Sequence, residues 1–417
     1  MRISKLKSVM IFIIMIITIF NTAACARKSK GSSEGENKQK LNAYIEVKDR
    51  GTLDIIRTFL DDYQKEKKDV EITFNSPLGE NKLEEDIVKG SIDILVVSRE
   101  KMIELSKKGL LKEMGDFYSK NNISDKYYNI MGAYGRIGDK YFGIGIMPNT
   151  VEVIYNQEAL SKLNIAPPED MKGLMETVKK LTDTGSKVPV LLAEEVEIKN
   201  IVPAVIVSNT MDASKIEAAF GCSNEGYSKV PFQQVFDSLY NIVKQGYVKE
   251  DTFEAATEST IQRVIVGDVP VMIAVSNVTK EMKEAKLNIL KDYNISETKN
   301  NIPVLVNAVI STPANSKNEE AVNELLEFMY DEKTQKKLAE SGYVTANKAV
   351  NEELWKEGLQ KDIADHLQRA DSNSIFYLHN FPEKLHPYIE SAVINILKGK
   401  YTGKEWEEII NKICKQE

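Results

Sequence analysis

The sequence predicts an α/β fold in two parts, and two observations carry that expectation. Between Leu41 and Gly109, apolar segments of period two alternate with segments of helical spacing in the order βαβαβ, and the alternation resumes between Val151 and Val275. The chain is 417 residues long, 42% hydrophobic and 28% charged, which suits two or three folded units. That composition excludes both a disordered chain and a polytopic membrane protein.

Ala43, Ile45 and Val47 alternate and read as the first strand. Thr52 is a suitable N-cap for a helix carrying Leu53, Ile56, Phe59, Leu60 and Tyr63 on one face. Val70, Ile72 and Phe74 alternate again, a short helix spans Leu83 to Val88, and Ile92 to Val97 is an apolar strand. A helix from Glu100 to Lys108 stops at Gly109. This order implies a largely parallel sheet with helices on both faces. Farther on, Gly138-Asp139 marks a hairpin, and Ile144 to Ile146 and Val151 to Tyr155 are strand-like. Pro167-Pro168 opens a helix to about Leu181, followed by a strand from Val188 to Ala193. Phe232, Val235, Phe236, Leu239 and Val243 form the apolar stripe of a helix closed by Gly246. A helix near Ser259 to Val266 and strands over Val271–Val275 and Val304–Ile310 precede a mostly helical remainder.

The N-terminus reads as a signal peptide over residues 1–24. Arg2, Lys5 and Lys7 precede an apolar run from Val9 to Phe20 broken only by Thr18. A helix over that run rises about 18 Å, well short of the roughly 30 Å of a bilayer's hydrocarbon core. Ala23-Ala24-Cys25 resembles the lipobox of bacterial lipoproteins, with Thr22 where leucine is usual. Lipidation of Cys25 is expected, because a lone exposed thiol outside the cell would oxidise; simple cleavage that leaves Cys25 free is the alternative. Residues 25–40 contain no large apolar side chain before the body begins at Leu41, so they read as a flexible tether.

Lys and Arg total 55 against 62 Asp and Glu, a net charge of −7 that argues against nucleic acid as a partner. Three cysteines give no disulfide framework, and Cys222 and Cys414 can pair or stay as thiols. Catalytic templates fail. Gly221-Cys222-Ser223-Asn224-Glu225 lacks the closing glycine of a nucleophile elbow, and Gly403-Lys404 lacks the Ser or Thr of a P-loop. His366, His379 and His386 fit no metal-binding spacing. No catalytic residue, metal or cofactor is expected, and an exported α/β body without them is a candidate binder.

Five blocks, in order, carry a resemblance. Ser91-Ile92-Asp93-Ile94-Leu95 leads through Leu105 to Gly109-Leu110-Leu111-Lys112-Glu113. Asp139-Lys140-Tyr141-Phe142-Gly143 runs into Val153-Ile154-Tyr155-Asn156. Gly267 to Ile273, Asp331 to Tyr343, and Ala392-Val393-Ile394-Asn395 before Gly399 complete the set. Behind a lipoprotein-like leader, this series resembles the extracellular solute-binding proteins of ABC importers, in the group typified by the maltodextrin-binding protein. The resemblance implies a periplasmic-binding-protein-like fold of two lobes, each a mostly parallel sheet flanked by helices, with several hinge crossings. Lobe 1 would comprise 41–148 and 306–350, and lobe 2 152–300 and 355–417. Crossings would fall near Pro148–Thr150 and Val304–Asn307. It further implies a monomeric, membrane-anchored receptor on the outer face of the cell membrane, closing on a small polar solute and docking on ABC permease subunits.

Ligands of doubly wound folds gather at the carboxyl ends of strands. Lys48 and Arg50 follow the first strand; Arg99 and Glu100 follow Ile92–Val97, with Glu100 where the family carries a sugar-binding acid. The resemblance places Asn149 at a ligand-binding Glu, Glu197 at a binding Glu and Lys199 at a binding Tyr. Val97, Val202, Asn277 and His386 stand where the family stacks aromatic rings on sugars. With two tryptophans, Trp355 and Trp406, both in helical patterns, a ring platform would fall to tyrosines such as Tyr44, Tyr155, Tyr377 or Tyr388. The expected ligand is therefore polar or charged, an oligosaccharide being the leading class. Two alternatives stand beside the receptor: a surface glycoside-active enzyme using Glu194, Glu195 or Glu197 as paired carboxylates, and a sensor or adhesin on the same fold.

Overall fold

The computed structural model describes residues 38–75, 80–193, 196–221, 224–282, 285–295 and 299–413. The leader, Cys25, most of the tether, Cys222, Cys414, Glu194 and Glu195 lie outside them. From Lys40 onward the chain forms one unit built around two sheets.

The first sheet runs β2–β1–β3–β13–β6, from β1 (Gln39–Ile45), β2 (Val70–Asn75), β3 (Ile94–Val97), β6 (Ile144–Gly145) and β13 (Val309–Ser311). Its centre is β3, buried along its whole length, which explains the uninterrupted apolar run in the sequence. β1 and β3 are parallel, Ala43 opposite Ile94 and Ile45 opposite Val96. The helix between β1 and β2, Arg50–Glu66, buries Ile55, Ile56, Phe59, Leu60 and Tyr63 at 3.6-residue spacing. Its N-cap is Asp49, whose carboxylate accepts from the Thr52 N–H at 2.7 Å; Thr52 lies in the first turn and does not cap it. The helix Arg99–Lys107 is capped by Ser98 and ended by Gly109, whose φ of +71° suits a residue without a Cβ. The expected hairpin forms from β4 (Arg136–Ile137) and β5 (Lys140–Tyr141).

The second sheet runs β11–β7–β10–β8–β9, with β12 also on β7. Its strands are β7 (Asn149–Tyr155), β8 (Val188–Leu191), β9 (Phe253–Ala255), β10 (Val271–Val275), β11 (Asn288–Ile289) and β12 (Val304–Leu305). The helix after Pro167-Pro168 begins at Met171, because Asp170 caps it by accepting from the Gly173 N–H. The helix Leu359–Arg369 is stitched to β7 through His366, whose Nδ1 lies 2.9 and 3.0 Å from the two carboxylate oxygens of the buried Glu152. Thr150 and Tyr293 hydroxyls also donate to that carboxylate.

Both sheets are mixed, and the direction of each strand follows from where the chain comes from. Strands linked by helical crossovers, β1 with β3 and β8 with β9 and β10, run parallel. Strands that pass directly between the sheets run antiparallel: β7 on β10, and β13 on β3 and β6. The expected single strand Val304–Ile310 divides accordingly, β12 in the second sheet and β13 in the first. The two passages lie side by side in one antiparallel register that holds on both sides of Pro148. Ile144 pairs with Ile310 and Gly145 with Val309; Ile146 N–H donates to Ala308 O at 3.1 Å; Asn149 pairs with Leu305 and Thr150 with Val304. Pro148, without an N–H, sits inside this ribbon.

The chain between Ala370 and Leu385 is not a long helix. It forms three short 3₁₀ turns, Ser372–Ser374, Tyr377–Asn380 and Glu383–Leu385, and the Phe376 N–H donates to Val304 O beside the crossing ribbon.

Candidate functional site

Carboxyl ends of β1 and β3 face the turns at Leu378–His386 across a cavity of about 710 Å³. That volume falls in the range of small-molecule sites. From the first sheet the wall takes Glu46, Lys48, Ser98, Arg99, Glu100, Lys101 and Glu104; the crossing strand adds Val306 and Asn307. Opposite stand Val196, Phe220, Leu378, His379, Pro382, Glu383, Lys384 and His386.

Arg99 is 1% exposed, and all three of its guanidinium nitrogens are hydrogen-bonded. It donates to the carbonyls of Ala133 (3.0 Å), Tyr134 (2.7 Å) and Arg136 (3.1 Å), to Asn380 Oδ1 (3.0 Å), and to Glu217 Oε2 (2.5 Å). Burial pulls its pKa down, and the Glu217 carboxylate opposes that by favouring the charged form. Glu217 belongs to the helix Ala213–Ala219, which sits with the second sheet's helices, so this ion pair ties the two sides together. The other Glu217 oxygen accepts from the Gly138 N–H in the β4–β5 hairpin at 2.9 Å. Lys107 donates to Phe220 O on the same rim. At another point of the wall Lys48 meets Glu383 at 3.0 Å, with both side chains largely exposed; the Lys48 ammonium holds the Glu383 carboxyl below its ordinary range.

Glu100 lies in the first turn after β3. Its Oε1 is 3.9 Å from His386 Nε2, and its Oε2 is buried without a hydrogen-bond partner. His386 instead directs Nε2 at Leu378 O (2.9 Å) and Phe381 O (3.2 Å). His379 is buried beside the Tyr134 hydroxyl at 3.0 Å, and burial pushes its pKa down.

Of the residues expected from sequence, Lys48, Arg99, Glu100 and His386 share this wall. Arg50 is exposed on the first turn of its helix and is not on the wall. Asn149, 3% exposed, starts β7 in the crossing ribbon with Oδ1 unpartnered. Asn277, also unpartnered at Oδ1, faces the helix Arg50–Glu66 closely enough that a methyl group on Gly51 would lie 3.7 Å from its Nδ2. Glu197 is exposed and caps the turn Ile198–Asn200, accepting from the Lys199 N–H. Lys199 is half-buried on that turn. Tyr44 and Tyr377 are core side chains, bonded to Glu46 and Asn200. Trp406 packs on Phe232 and Phe381, and its indole N–H donates to Tyr227 O. Sequence reasoning missed Glu46, Asn307 and the stretch Leu378–Lys384. Glu46 was findable as a polar residue at the end of β1. The breakers Asn380 and Pro382 were the signal that Leu378–Lys384 is turn and not helix.

A family model described as bacterial extracellular solute-binding protein matches residues 58–365. No curated protein matches the chain. Among solved structures, a chitin oligosaccharide binding protein aligns at TM-score 0.67 and 14% identity, over 91% of this chain and 99% of its own. A family 1 extracellular solute-binding protein from Bifidobacterium longum subsp. infantis aligns at 0.63 and 13%, over 91% and 100%. An ABC substrate-binding protein from Listeria monocytogenes, in complex with cycloalternan, aligns at 0.60 and 16%, over 91% and 99%. At these identities the likeness is one of fold: two lobes of mixed sheet and helix.

Proposed function

The chain belongs to the bacterial extracellular solute-binding proteins, and we propose that it is a lipid-anchored receptor that captures a short saccharide between its lobes and delivers it to an ABC permease. The lobes are assigned as 41–148 with 306–350 and 152–300 with 355–417, and the crossing ribbon is their hinge. The observation that carries this reading is the cavity of about 710 Å³ bounded by strand ends of the first sheet and turns packed with the second. A solute that touches both walls binds the closed form better than the open one and so shifts the population toward closure. A wall of charged and amide groups suits a hydroxyl-rich solute, and structural neighbours include binders of chitin oligosaccharide and cycloalternan. Lipidation at Cys25 is supported by Ala23-Ala24-Cys25 and the polar segment after it.

Calorimetric titration of the leaderless protein with mono-, di- and trisaccharides tests the assignment. Saturable binding with a dissociation constant in the micromolar range or below is expected. Absence of binding across the panel, or release of cleaved product, overturns it.

A further inference from the structure

Resting on the receptor reading of the same cleft, we propose that the solute carries positive charge: a short saccharide bearing a protonated amine, received by Glu46 and Glu100. The cavity wall holds charges of both signs, but its cations are already engaged. Arg99 is committed to three carbonyls, Asn380 and Glu217. Lys48 is bonded to Glu383 and Lys101 to Glu104, and Lys384 is not free.

The acids divide differently. Glu104 receives Lys101 and Lys108, and Glu383 receives Lys48. Glu46 accepts from the Tyr44 hydroxyl, a neutral donor, at 2.7 Å, and no ion pair joins it to another described residue. Among the described residues the ion pair of Glu100 is with His386 at 3.9 Å, whose Nε2 is directed at two backbone carbonyls, while the adjacent Arg99 guanidinium acts on it without a hydrogen bond. Both acids stand at the ends of adjacent parallel strands, Glu46 donating its N–H to Val96 O and Glu100 following in the next helix. A third, independent group opens on the same cavity. Asn307 is 8% exposed, its Nδ2 donates to Thr52 Oγ1, and its Oδ1 has no partner.

Among the described residues, the buried unpartnered side-chain atoms of the wall, Glu100 Oε2 and Asn307 Oδ1, are acceptors, and neither Glu46 nor Glu100 is bonded to a cation. A neutral saccharide can supply hydrogen bonds but leaves both charges uncompensated as closure excludes water, where unpaired charge is costly. An ammonium supplies three N–H donors and the missing charge together. A carboxylated or phosphorylated sugar meets repulsion from Glu46 and Glu100, and the cations of the wall among the described residues are already engaged.

Three β-1,4-linked disaccharide probes separate these cases by titration: the glucosamine disaccharide, its N-acetylated form and a uronate-bearing one. The amine form is expected to bind at least tenfold more tightly than the acetylated form, and the uronate not measurably. Glu100→Gln should bring the amine and acetylated affinities within about threefold of each other, chiefly by weakening the amine form. Glu46→Gln is the second variant, expected to erode the same preference. Equal or stronger binding of the acetylated or uronate form, or an unchanged preference in both variants, overturns the proposal. If saccharides bind without favouring the amine, the receptor reading stands and this inference fails. If an aliphatic diamine binds and no saccharide does, the cationic assignment stands and the saccharide reading fails. If nothing in the panel binds, both fail.

Discussion

Arg99 shows how a strand-end cation can serve architecture. Each of its three guanidinium nitrogens meets an acceptor, and among the described residues the charged acceptor, Glu217, comes from across the cleft. Glu217→Gln keeps an oxygen in place but removes the charge opposite a buried guanidinium, and should destabilise the protein by about 1–3 kcal/mol, since Glu217 itself is partly exposed. Urea unfolding with an unchanged slope would register this. Arg99→Met removes five donors from four carbonyl or amide oxygens and a carboxylate, and a larger loss is expected. His379 adds a pH dependence of definite sign. Burial holds its folded pKa below the ordinary 6.5, so the unfolded chain takes up a proton first as pH falls. The contribution is complete above 6.5 and is lost as pH falls below it, until the folded ring also protonates. The melting temperature should therefore drop between pH 7.5 and 5.5, and His379→Gln should flatten that slope; Glu100, His386 and Arg99 act on the ring electrostatically, and the Tyr134 hydroxyl lies 3.0 Å from it.

Among the elements, the helix Arg50–Glu66 offers a clean test, because its cap is a single side chain. Asp49→Ala should cost about 1 kcal/mol, read as a lower urea midpoint, while Thr52→Ala leaves the cap acceptor in place. Gly135 tests packing. A Cβ there would lie 1.8 Å from the Gly143 carbonyl oxygen, so Gly135→Ala must move backbone and should strongly reduce folded yield. The elements also mark the limit of what sequence periodicity conveys. Strands and helices from Gln39 to Lys107 were legible because each shows a regular apolar period or, in β3, an uninterrupted apolar run, with a local stop. The division of Val304–Ile310 into β12 and β13 was not, because both halves are buried and apolar and only their partners differ. Ile375 to Phe381 is likewise buried without helical period, held by tertiary contacts. Lys48, Glu100 and His386 could be found from strand ends or the resemblance. Asn307 and Glu383 could not, because they reach the cavity through a crossing strand and a turn whose neighbours are far away in sequence.

At the scale of the whole molecule, closure should be visible in solution. Small-angle scattering with a bound saccharide should give a smaller radius of gyration than without it, and Glu217→Gln should enlarge the unliganded form by releasing one rim of the cleft. Scattering profiles that superimpose with and without solute would contradict the receptor reading. At the membrane, Cys25→Ser should free the protein from the detergent phase in a partition assay. The crossing ribbon constrains how such motion proceeds. Because 144–146 pairs with 308–310 and 149–150 with 304–305 in one register, the two connections are expected to flex together. On the proposed hinge assignment, the halves should swing about a shared axis near Pro148, with sliding and free rotation suppressed. Such a joint returns the same two faces into apposition on every cycle, as a door does on aligned pins.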